Sequence, residues 1–386
     1  MESKRSDRLF LLIVTLFWFS QYIFVPFLSP HLAALGVTAS LSGVILGAYG
    51  FSQLVLRIPV SVSEDCIGKH KLFMVGGLTA LVLGSCLPLL SSSPVVYLIS
   101  RTLAGVSAST WVSYTVGFTG GRSDVKKRMG QLISANNLGV MLSYIVGGAL
   151  YEPLGMKTLY LTSTLVAVAA LALLPLCRVK NAEKPHALRL REVVDVVKNR
   201  RLLLTSLMGA VMQLIVFATA QSFVSSYAKG FGVSGVGISL IAIAFNASGV
   251  LASTLFSRGI FSRLSERAFC AMGFGVLVLY CVMLPACRGL MLIILAQLLG
   301  GAGRTLLYTH QMAVCSADVP PESKTTAMGV YQSIYSLGMT FGPIVMGWCI
   351  DGTGSYEWSF VLIGVFGLIG MIWSWLAGDR QEEKQA

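Results

Sequence analysis

One arginine inside a long apolar segment is the residue best suited to bind a charged solute. Arg304 lies in the apolar stretch 290–312, roughly 20 Å from its start at 1.5 Å per helical residue. A cation at that depth of a bilayer costs about 2.5–3.5 kcal/mol on insertion scales, so it needs water, a partner or a ligand. Gln297, Tyr308 and Gln311 share its helix face. This face predicts a site for a polar or charged ligand; an arginine bonded only to backbone carbonyls is the structural alternative.

Two further arginines lie inside apolar segments. Arg101 is about 10 Å from the start of its segment, counted in helical rise, and both ligand contact and a structural role stay open. Arg57 is close enough to the end of its segment for its charged head to reach water. All 17 Asp and Glu fall in loops, tails or helix ends, which leaves no acid within a segment to carry protons. A positive interior without carboxylates favours an anionic or zwitterionic solute over a cation.

The elements that hold these arginines belong to a membrane protein. Of 386 residues, 55% are hydrophobic and only 12% are charged, which is too apolar for a soluble chain of this length. The net charge of +12 does not indicate nucleic-acid binding, because the basic residues lie in loops between apolar segments. The eight cysteines have no metal-ligand or redox spacing, so we interpret them as free, buried thiols and expect no metal site and no cofactor.

Twelve apolar segments are long enough to be helical spans, so the fold class predicted is an all-α membrane protein. The predicted spans are residues 9–28, 41–62, 72–90, 95–118, 129–150, 159–176, 202–227, 236–256, 268–285, 290–312, 325–350 and 359–377. A basic stretch separates two sets of six. The sequence therefore predicts an N-terminal six-helix bundle over 1–177, a linker over 178–201 and a C-terminal six-helix bundle over 202–386. Within the linker, 188–200 suits either an amphipathic helix on the membrane or a tether.

The basic residues are distributed asymmetrically along this pattern. If the N-terminus lies inside, 23 of the 29 Lys and Arg fall on the cytoplasmic side and only Lys157, Lys229 and Arg288 fall outside. This is the asymmetry that the positive-inside rule expects. We therefore expect both termini and the linker in the cytoplasm, with the protein integral to the plasma membrane, in bacteria the inner membrane.

Polar side chains are distributed with a period of three spans. The third, sixth, ninth and twelfth spans contain no Asn, Gln, His, Lys, Arg, Asp or Glu, whereas the other eight do. Side chains that need hydrogen-bond partners are not stable facing lipid. We therefore expect every third helix at the periphery and the others around a polar interior.

The loop after the second span carries a recognisable motif. Residues 61–71 read SVSEDCIGKHK, which resembles the Gly-x-x-x-Asp-Arg-x-Gly-Arg-Arg/Lys signature of the major facilitator superfamily (MFS) at Asp65, Gly68 and Lys69. Ser61, Cys66 and His70 depart from it. The resemblance implies twelve helices in two pseudo-symmetric six-helix bundles around a central cavity, moving by alternating access. A carboxylate and basic residues at a helix end also suit a latch between bundles. The predicted conformational gate comprises Asp65, Gly68, Lys69, Lys71 and Arg57.

Small residues at four-residue spacing extend the resemblance through the chain. The eleventh span resembles a Gly-x-x-x-Gly-Pro motif often linked to antiporters, and the fifth carries a related glycine pattern. Such spacing lets helices approach closely with or without transport. The predicted packing residues are Gly139, Gly147, Gly148, Gly338, Gly342, Pro343 and Gly347. Aligning the tenth span with the fourth by their glycines sets Gly301 opposite Gly105.

The remaining polar and aromatic residues of these spans complete a predicted substrate site. Each aromatic alone is more often a packing residue, but together the set suits a small amphipathic organic molecule. The predicted substrate-binding residues are Trp18, Gln21, Arg101, Asn137, Gln213, Gln221, Asn246, Gln297, Arg304, Tyr308, Tyr331, Gln332 and Tyr335.

The sequence thus favours a secondary transporter, a monomer, that moves a small organic anion or zwitterion, with a proton as candidate coupling ion. A proton-coupled multidrug or metabolite exporter is the alternative within transporters, and the direction of transport stays open. A non-transporting membrane receptor is the alternative outside them. An enzyme is not expected, since there is no phosphate-binding loop and none of the four histidines has metal-ligand spacing.

Overall fold

The computed structural model describes residues 2–120, 124–177, 179, 198–258, 264–315 and 324–382, and these are helical almost throughout. In the first half of the chain the helices are α1 Glu2–Tyr22, α2 Val25–Ala34, α3 Ala39–Ile67, α4 His70–Leu90, α5 Pro94–Ser109, α6 Trp111–Thr119 and α7 Val125–Leu173. In the second half they are α8 Arg200–Ala218, α9 Val224–Gly230, α10 Gly235–Ser257, α11 Glu266–Met283, α12 Leu290–Val314, α13 Lys324–Thr353 and α14 Tyr356–Glu382. A π-helical turn, Thr219–Phe223, joins α8 to α9.

Eleven candidate membrane spans are found among the described residues, and one of them contains two predicted spans. The stretch Lys127–Leu176 has 50 residues, whereas a single crossing needs about 20. Gly155 interrupts it with φ 76° and ψ 179°, two residues after Pro153. Glycine adopts this backbone conformation without a Cβ clash. The predicted spans 129–150 and 159–176 therefore lie on either side of a turn at Gly155.

The described chain forms two compact units. The first comprises Met1–Leu28 and Ala48–Val193, and in it α1 packs against α7. Gly139 lies against the backbone of Thr15, and a Cβ there would be 3.1 Å from the amide nitrogen of Phe19. Gly147 makes the same kind of contact two turns later, with a virtual Cβ 2.7 Å from the carbonyl oxygen of Ile23. Gly148 beside it is also buried. Small residues therefore set the α1–α7 distance.

The second unit comprises Ser29–Gly47 and Val194–Ala386, and repeats this device between α8 and α13. Gly338 lies against the Ala210 carbonyl, and a Cβ there would be 2.6 Å from the amide nitrogen of Leu214. A Cβ on Gly342 would be 3.1 Å from the amide nitrogen of Ala218. Two helices of this unit approach closely because α13 presents glycine at four-residue spacing.

The beginning of α3 also packs on α13 within the second unit. Gly347 lies against the Ala39 carbonyl, and Gly43 lies against the backbone of Pro343. The Asp351 carboxylate accepts hydrogen bonds from the amides of Ala39, at 3.2 Å, and Ser40, at 2.8 Å. This carboxylate caps the amino end of α3, where free amides and the helix dipole favour a negative charge.

Burial follows the predicted three-span period in part. In the most apolar window of the third and twelfth spans, 39% of residues are buried, against 61% in the first, seventh and eleventh. The ninth and tenth spans have equal shares of 44%. The third and twelfth helices are thus among the least enclosed, and the ninth is not distinguished from its neighbour.

The burial of the cysteines differs from the prediction, and two other predictions concern residues outside the described chain. All eight cysteines are free, but Cys66 is exposed and Cys86 and Cys349 are half-buried, so the prediction of uniformly buried thiols is wrong. Residues 188–197 of the candidate amphipathic stretch and the side chain of Asp65 lie outside the described part of the chain.

Candidate functional site

In the second unit, Arg304 is held between aromatic rings. Its guanidinium carbon lies 6.0 Å from the ring centroid of Phe245 on α10 and 5.8 Å from that of Tyr308, one turn along α12. The side chain is half-buried, and its enclosed Nε has no hydrogen-bond partner among the described residues. Ring faces attract cations by about 0.5–2 kcal/mol, which does not satisfy an N–H donor. The guanidinium therefore retains hydrogen-bonding capacity for a ligand.

A chain of tyrosines continues from this arginine to α13. The ring of Tyr308 is 6.5 Å from that of Tyr335, which is 5.3 Å from that of Tyr331. Tyr331 is fully buried and donates a hydrogen bond of 2.9 Å to Oε1 of Gln311 on α12. Four predicted residues, Arg304, Tyr308, Tyr331 and Tyr335, are thus brought together.

Other predicted residues of the second unit are oriented differently. Gln297 is fully buried and accepts a hydrogen bond of 3.3 Å from Tyr280 on α11. Asn246 donates to the carbonyl of Ala242 in its own helix at 2.9 Å. Both side chains therefore have protein partners apart from the arginine.

The remaining glutamines of this unit differ in environment. Gln213 is buried, and its Oε1 lacks a hydrogen-bond partner within the described chain. Gln221 is half-buried in the π-helical turn, a distortion that often occurs at functional sites. Gln332 is half-buried on α13.

The first unit contains a comparable arginine. Arg101 on α5 is 4% exposed, and its guanidinium carbon lies 4.7 Å from the ring centroid of Tyr49 on α3. Its enclosed Nε also lacks a partner among the described residues. Gln21 donates to the Ala104 carbonyl at 3.0 Å and keeps its enclosed Oε1 unpaired in the part of the chain described. Trp18 packs on Trp111, with ring centroids 5.2 Å apart.

The two arginines lie on corresponding helices of an internal repeat but not at corresponding positions. A Cβ on Gly105 would be 2.5 Å from the Tyr49 carbonyl oxygen, and a Cβ on Gly301 would meet the Phe245 carbonyl oxygen. Gly301 thus corresponds to Gly105, as the alignment by glycines predicted, and Phe245 corresponds to Tyr49. The arginines lie on opposite sides of these contacts, four residues before one glycine and three after the other. Sequence reasoning missed the two rings, although an aromatic on the second or eighth span was a readable signal.

Two predicted residues of the first unit lie in environments that differ from those expected. Asn137 is exposed. Arg57 is only 5% exposed and donates a hydrogen bond to Oε1 of Gln53, one turn earlier. The prediction that Arg57 extends to water is therefore wrong, because the residue is buried and its guanidinium donates to an acceptor inside the protein.

The motif loop forms a second polar cluster in this unit. Gly68 turns the chain with φ 69°, and Lys69 is exposed. Lys71 donates to the carbonyls of Pro175, at 2.9 Å, and Cys177, at 3.2 Å. A cation at these final carbonyls is favoured by the helix dipole. Lys71 therefore links the loop to the end of the sixth predicted span.

Sequence reasoning missed the acid of this cluster. Glu64 is 1% exposed; its Oε1 lies 2.5 Å from Nδ1 of His70, and its Oε2 accepts a hydrogen bond of 2.7 Å from Ser113 on α6. Glu64 is also the last residue of a candidate membrane span. Glu64 lies near the end of α3, as expected for the acids of this chain, but it is buried there. The six-residue spacing across a glycine turn was the available signal.

Comparison with known proteins identifies this architecture. The family model described as Major Facilitator Superfamily matches residues 10–337 and 288–386. The chain belongs to the Major Facilitator Superfamily. An MFS transporter of this kind is an integral, multi-pass membrane protein that takes a small-molecule substrate.

Several transporters are similar to this chain in sequence or in fold. It is 23% identical over 387 residues to an uncharacterized MFS-type transporter of Methanocaldococcus jannaschii, covering 96% of this chain and 98% of the relative. It is 27% identical over 257 residues to a multi-drug resistance efflux pump PmrA homolog of Lactococcus lactis, covering 64% and 62%. The crystal structure of the nucleoside transporter NupG superposes with a TM-score of 0.75 at 13% identity, covering 98% and 99%. At that identity the structural likeness shows the fold alone.

Proposed function

We propose that this protein is a secondary active transporter that moves a small organic anion or zwitterion by alternating access. The observation that carries the proposal is the environment of Arg304. A half-buried guanidinium faces two aromatic rings, and its enclosed Nε has no partner among the described residues. A carboxylate, sulfonate or phosphate on the solute supplies the missing acceptor, and the rings pack against its apolar part.

The arginine of the first unit supports the same choice of charge. Arg101 is buried over Tyr49, and its Nε likewise lacks a partner within the described residues. Leaving a buried donor without a partner costs roughly 1–3 kcal/mol, and a charged donor costs more. Two such donors in one transporter favour a solute that brings negative charge and disfavour a permanent cation.

A proton-coupled multidrug or metabolite exporter is the second candidate. It is favoured by the similarity to the Lactococcus lactis efflux pump homolog and by the Gly-x-x-x-Gly-Pro sequence of α13. The two candidates differ in the charge of the preferred solute. They also share the proposed orientation, with both termini in the cytoplasm.

A ligand panel that varies only charge separates the candidates. The purified protein is heated with organic anions, zwitterions and permanent cations built on matched skeletons, for example benzenesulfonate, phenylalanine and phenyltrimethylammonium. A ligand at a hundred times its Kd stabilises the folded state by about 2.7 kcal/mol. We expect the strongest stabilisers to be anions or zwitterions and their effect to be weakened in Arg304→Gln. If permanent cations stabilise best and Arg304→Gln leaves their effect unchanged, the exporter is the better account.

A further inference from the structure

We propose that Glu64 and His70 together form a proton-binding site whose occupancy biases the conformational equilibrium of the transporter. The use of that bias in transport rests on the proposed function; the binding of the proton does not. The pair departs from the pattern of the loop signature, since His70 stands at a place where the signature has Arg or Lys.

The geometry requires a proton between the two side chains. Oε1 of Glu64 and Nδ1 of His70 are 2.5 Å apart, and two bare lone pairs would repel at that distance. Ser113 donates to the other carboxylate oxygen at 2.7 Å, which stabilises the carboxylate in its charged form. The shared proton therefore lies on the imidazole nitrogen and is donated to Glu64.

The pair then has two states that differ by one proton on the other ring nitrogen. With that proton, a charged imidazole faces a charged carboxylate and the pair is neutral overall. Without it, the imidazole is neutral and still donates from Nδ1, so the pair carries one negative charge. Glu64 is 1% exposed and His70 is 4% exposed. A net charge is costly to bury whereas a paired one is compensated, so loss of the proton favours a conformation that hydrates the pair.

The pair joins three elements of the first unit. Glu64 lies near the end of α3, His70 begins α4, and Ser113 lies on α6. Three elements thus meet at one carboxylate. A ligand shifts a conformational equilibrium only if it binds the two states with different affinity. A proton does so when its site is enclosed in one state and open to water in the other.

The other titratable groups on the surrounding elements have other partners or are uncharged near neutral pH. Asp7 on α1 pairs with Arg128 on α7, at 2.6 Å. Lys71 on α4 donates to backbone carbonyls. Burial raises the pKa of the Cys177 thiol, which keeps it uncharged near neutral pH. Tyr114 on α6 is buried.

The remaining charged groups of these elements also have other environments. Arg57 on α3 is bonded to Gln53. The exposed side chains are Lys69, Arg5, Arg8, Asp124 and Lys127. Within the described residues, the Glu64 carboxylate is therefore compensated by His70 and Ser113.

The first test counts protons on the purified transporter without any solute. A pH-sensitive dye reports proton uptake in weak buffer as the pH falls from 8 to 5, where imidazole changes charge. We expect Glu64→Gln to take up about one proton fewer than the wild type, because a buried imidazole without its carboxylate stays neutral. Asp7→Asn is the matched control, which removes a carboxylate paired with arginine and should leave the count unchanged. Equal uptake by Glu64→Gln and wild type would overturn the proposal.

Ser113→Ala keeps both titratable groups, so it tests the proposal even if Glu64→Gln fails to fold. Without its hydroxyl donor the carboxylate is less stabilised, so the pair holds its proton to a higher pH. The midpoint of proton uptake should therefore move upward. If Ser113→Ala has the same midpoint of proton uptake as the wild type, the proposal of a proton site at this carboxylate is contradicted, as it is by equal proton uptake in Glu64→Gln.

A second measurement tests the conformational bias. Hydrogen–deuterium exchange of peptides from α3 and α6, corrected for intrinsic exchange rates, is compared at pH 5 and pH 8. We expect protection to depend on pH in the wild type and to become independent of pH in Glu64→Gln. If Glu64→Gln keeps the wild-type pH dependence, the pair is a structural clamp only. Neither measurement uses a transported solute, so their failure is separate from failure of the proposed function.

Discussion

Replacing Arg304 by Gln should weaken binding of the anionic solute by ten- to hundredfold. The structure gives the guanidinium two ring contacts, at 5.8 and 6.0 Å, and an enclosed Nε donor without a partner in the described chain. A hydrogen bond to a charged acceptor contributes about 1.5–3 kcal/mol, and each 1.4 kcal/mol is a factor of ten in Kd. The protein should still fold, because the ring contacts that are lost contribute only about 0.5–2 kcal/mol.

The assay is equilibrium binding of the solute identified by the thermal panel, measured by calorimetry on purified variants. Arg304→Lys should recover only part of the affinity, since lysine keeps the charge but lacks the planar fork. Arg258→Gln is the matched control, because Arg258 is an exposed arginine of the same unit, and its Kd should equal that of the wild type. Arg101→Gln tests separately whether the first unit contributes. Normal affinity in Arg304→Gln would refute the assignment of the anion to this arginine.

Three further predictions concern packing, orientation and the loop motif. Gly338→Ala should lower the free energy of unfolding by about 1–3 kcal/mol, because its Cβ meets the α8 backbone. Gly329 has open space around it, so Gly329→Ala should leave stability unchanged. Equal denaturation midpoints for the two variants would contradict the packing. Cys66, which is exposed, should react with an impermeant maleimide only after cells are permeabilised, whereas a cysteine at Gly352 should react in intact cells; the reverse pattern would invert the topology. Asp65→Asn should slow transport but leave solute Kd within a few fold, and loss of binding by the folded variant would place Asp65 in the site.

The sequence predicted those features that depend on local composition. Span positions follow from apolar length, and the packing of Gly301 follows from its alignment with Gly105. The turn at Gly155 also agrees with two predicted spans in this 50-residue stretch, because a glycine after a proline is a local break signal.

Features that depend on which side chains meet were harder to predict. Arg57 has an acceptor at Gln53, four residues away, so the i, i+4 rule would have indicated this contact but not the burial of Arg57. Glu64 meets His70 across a turn and Ser113 from a distant helix. Helical periodicity does not predict contacts beyond a turn, so the burial of this acid at its helix end was not expected. The rings of Tyr49 and Phe245 were missed for the same reason.

Solute flux into proteoliposomes tests the central claim most directly. The purified protein is reconstituted without nucleotide, and entry of the radiolabelled solute from the thermal panel is followed with and without an imposed ion gradient. A secondary transporter should exchange the solute across the bilayer without ATP, and an Arg304→Gln sample should require a ten- to hundredfold higher concentration for half-maximal exchange. Saturable binding of that solute with no flux above protein-free liposomes would contradict transport and indicate a receptor with this fold.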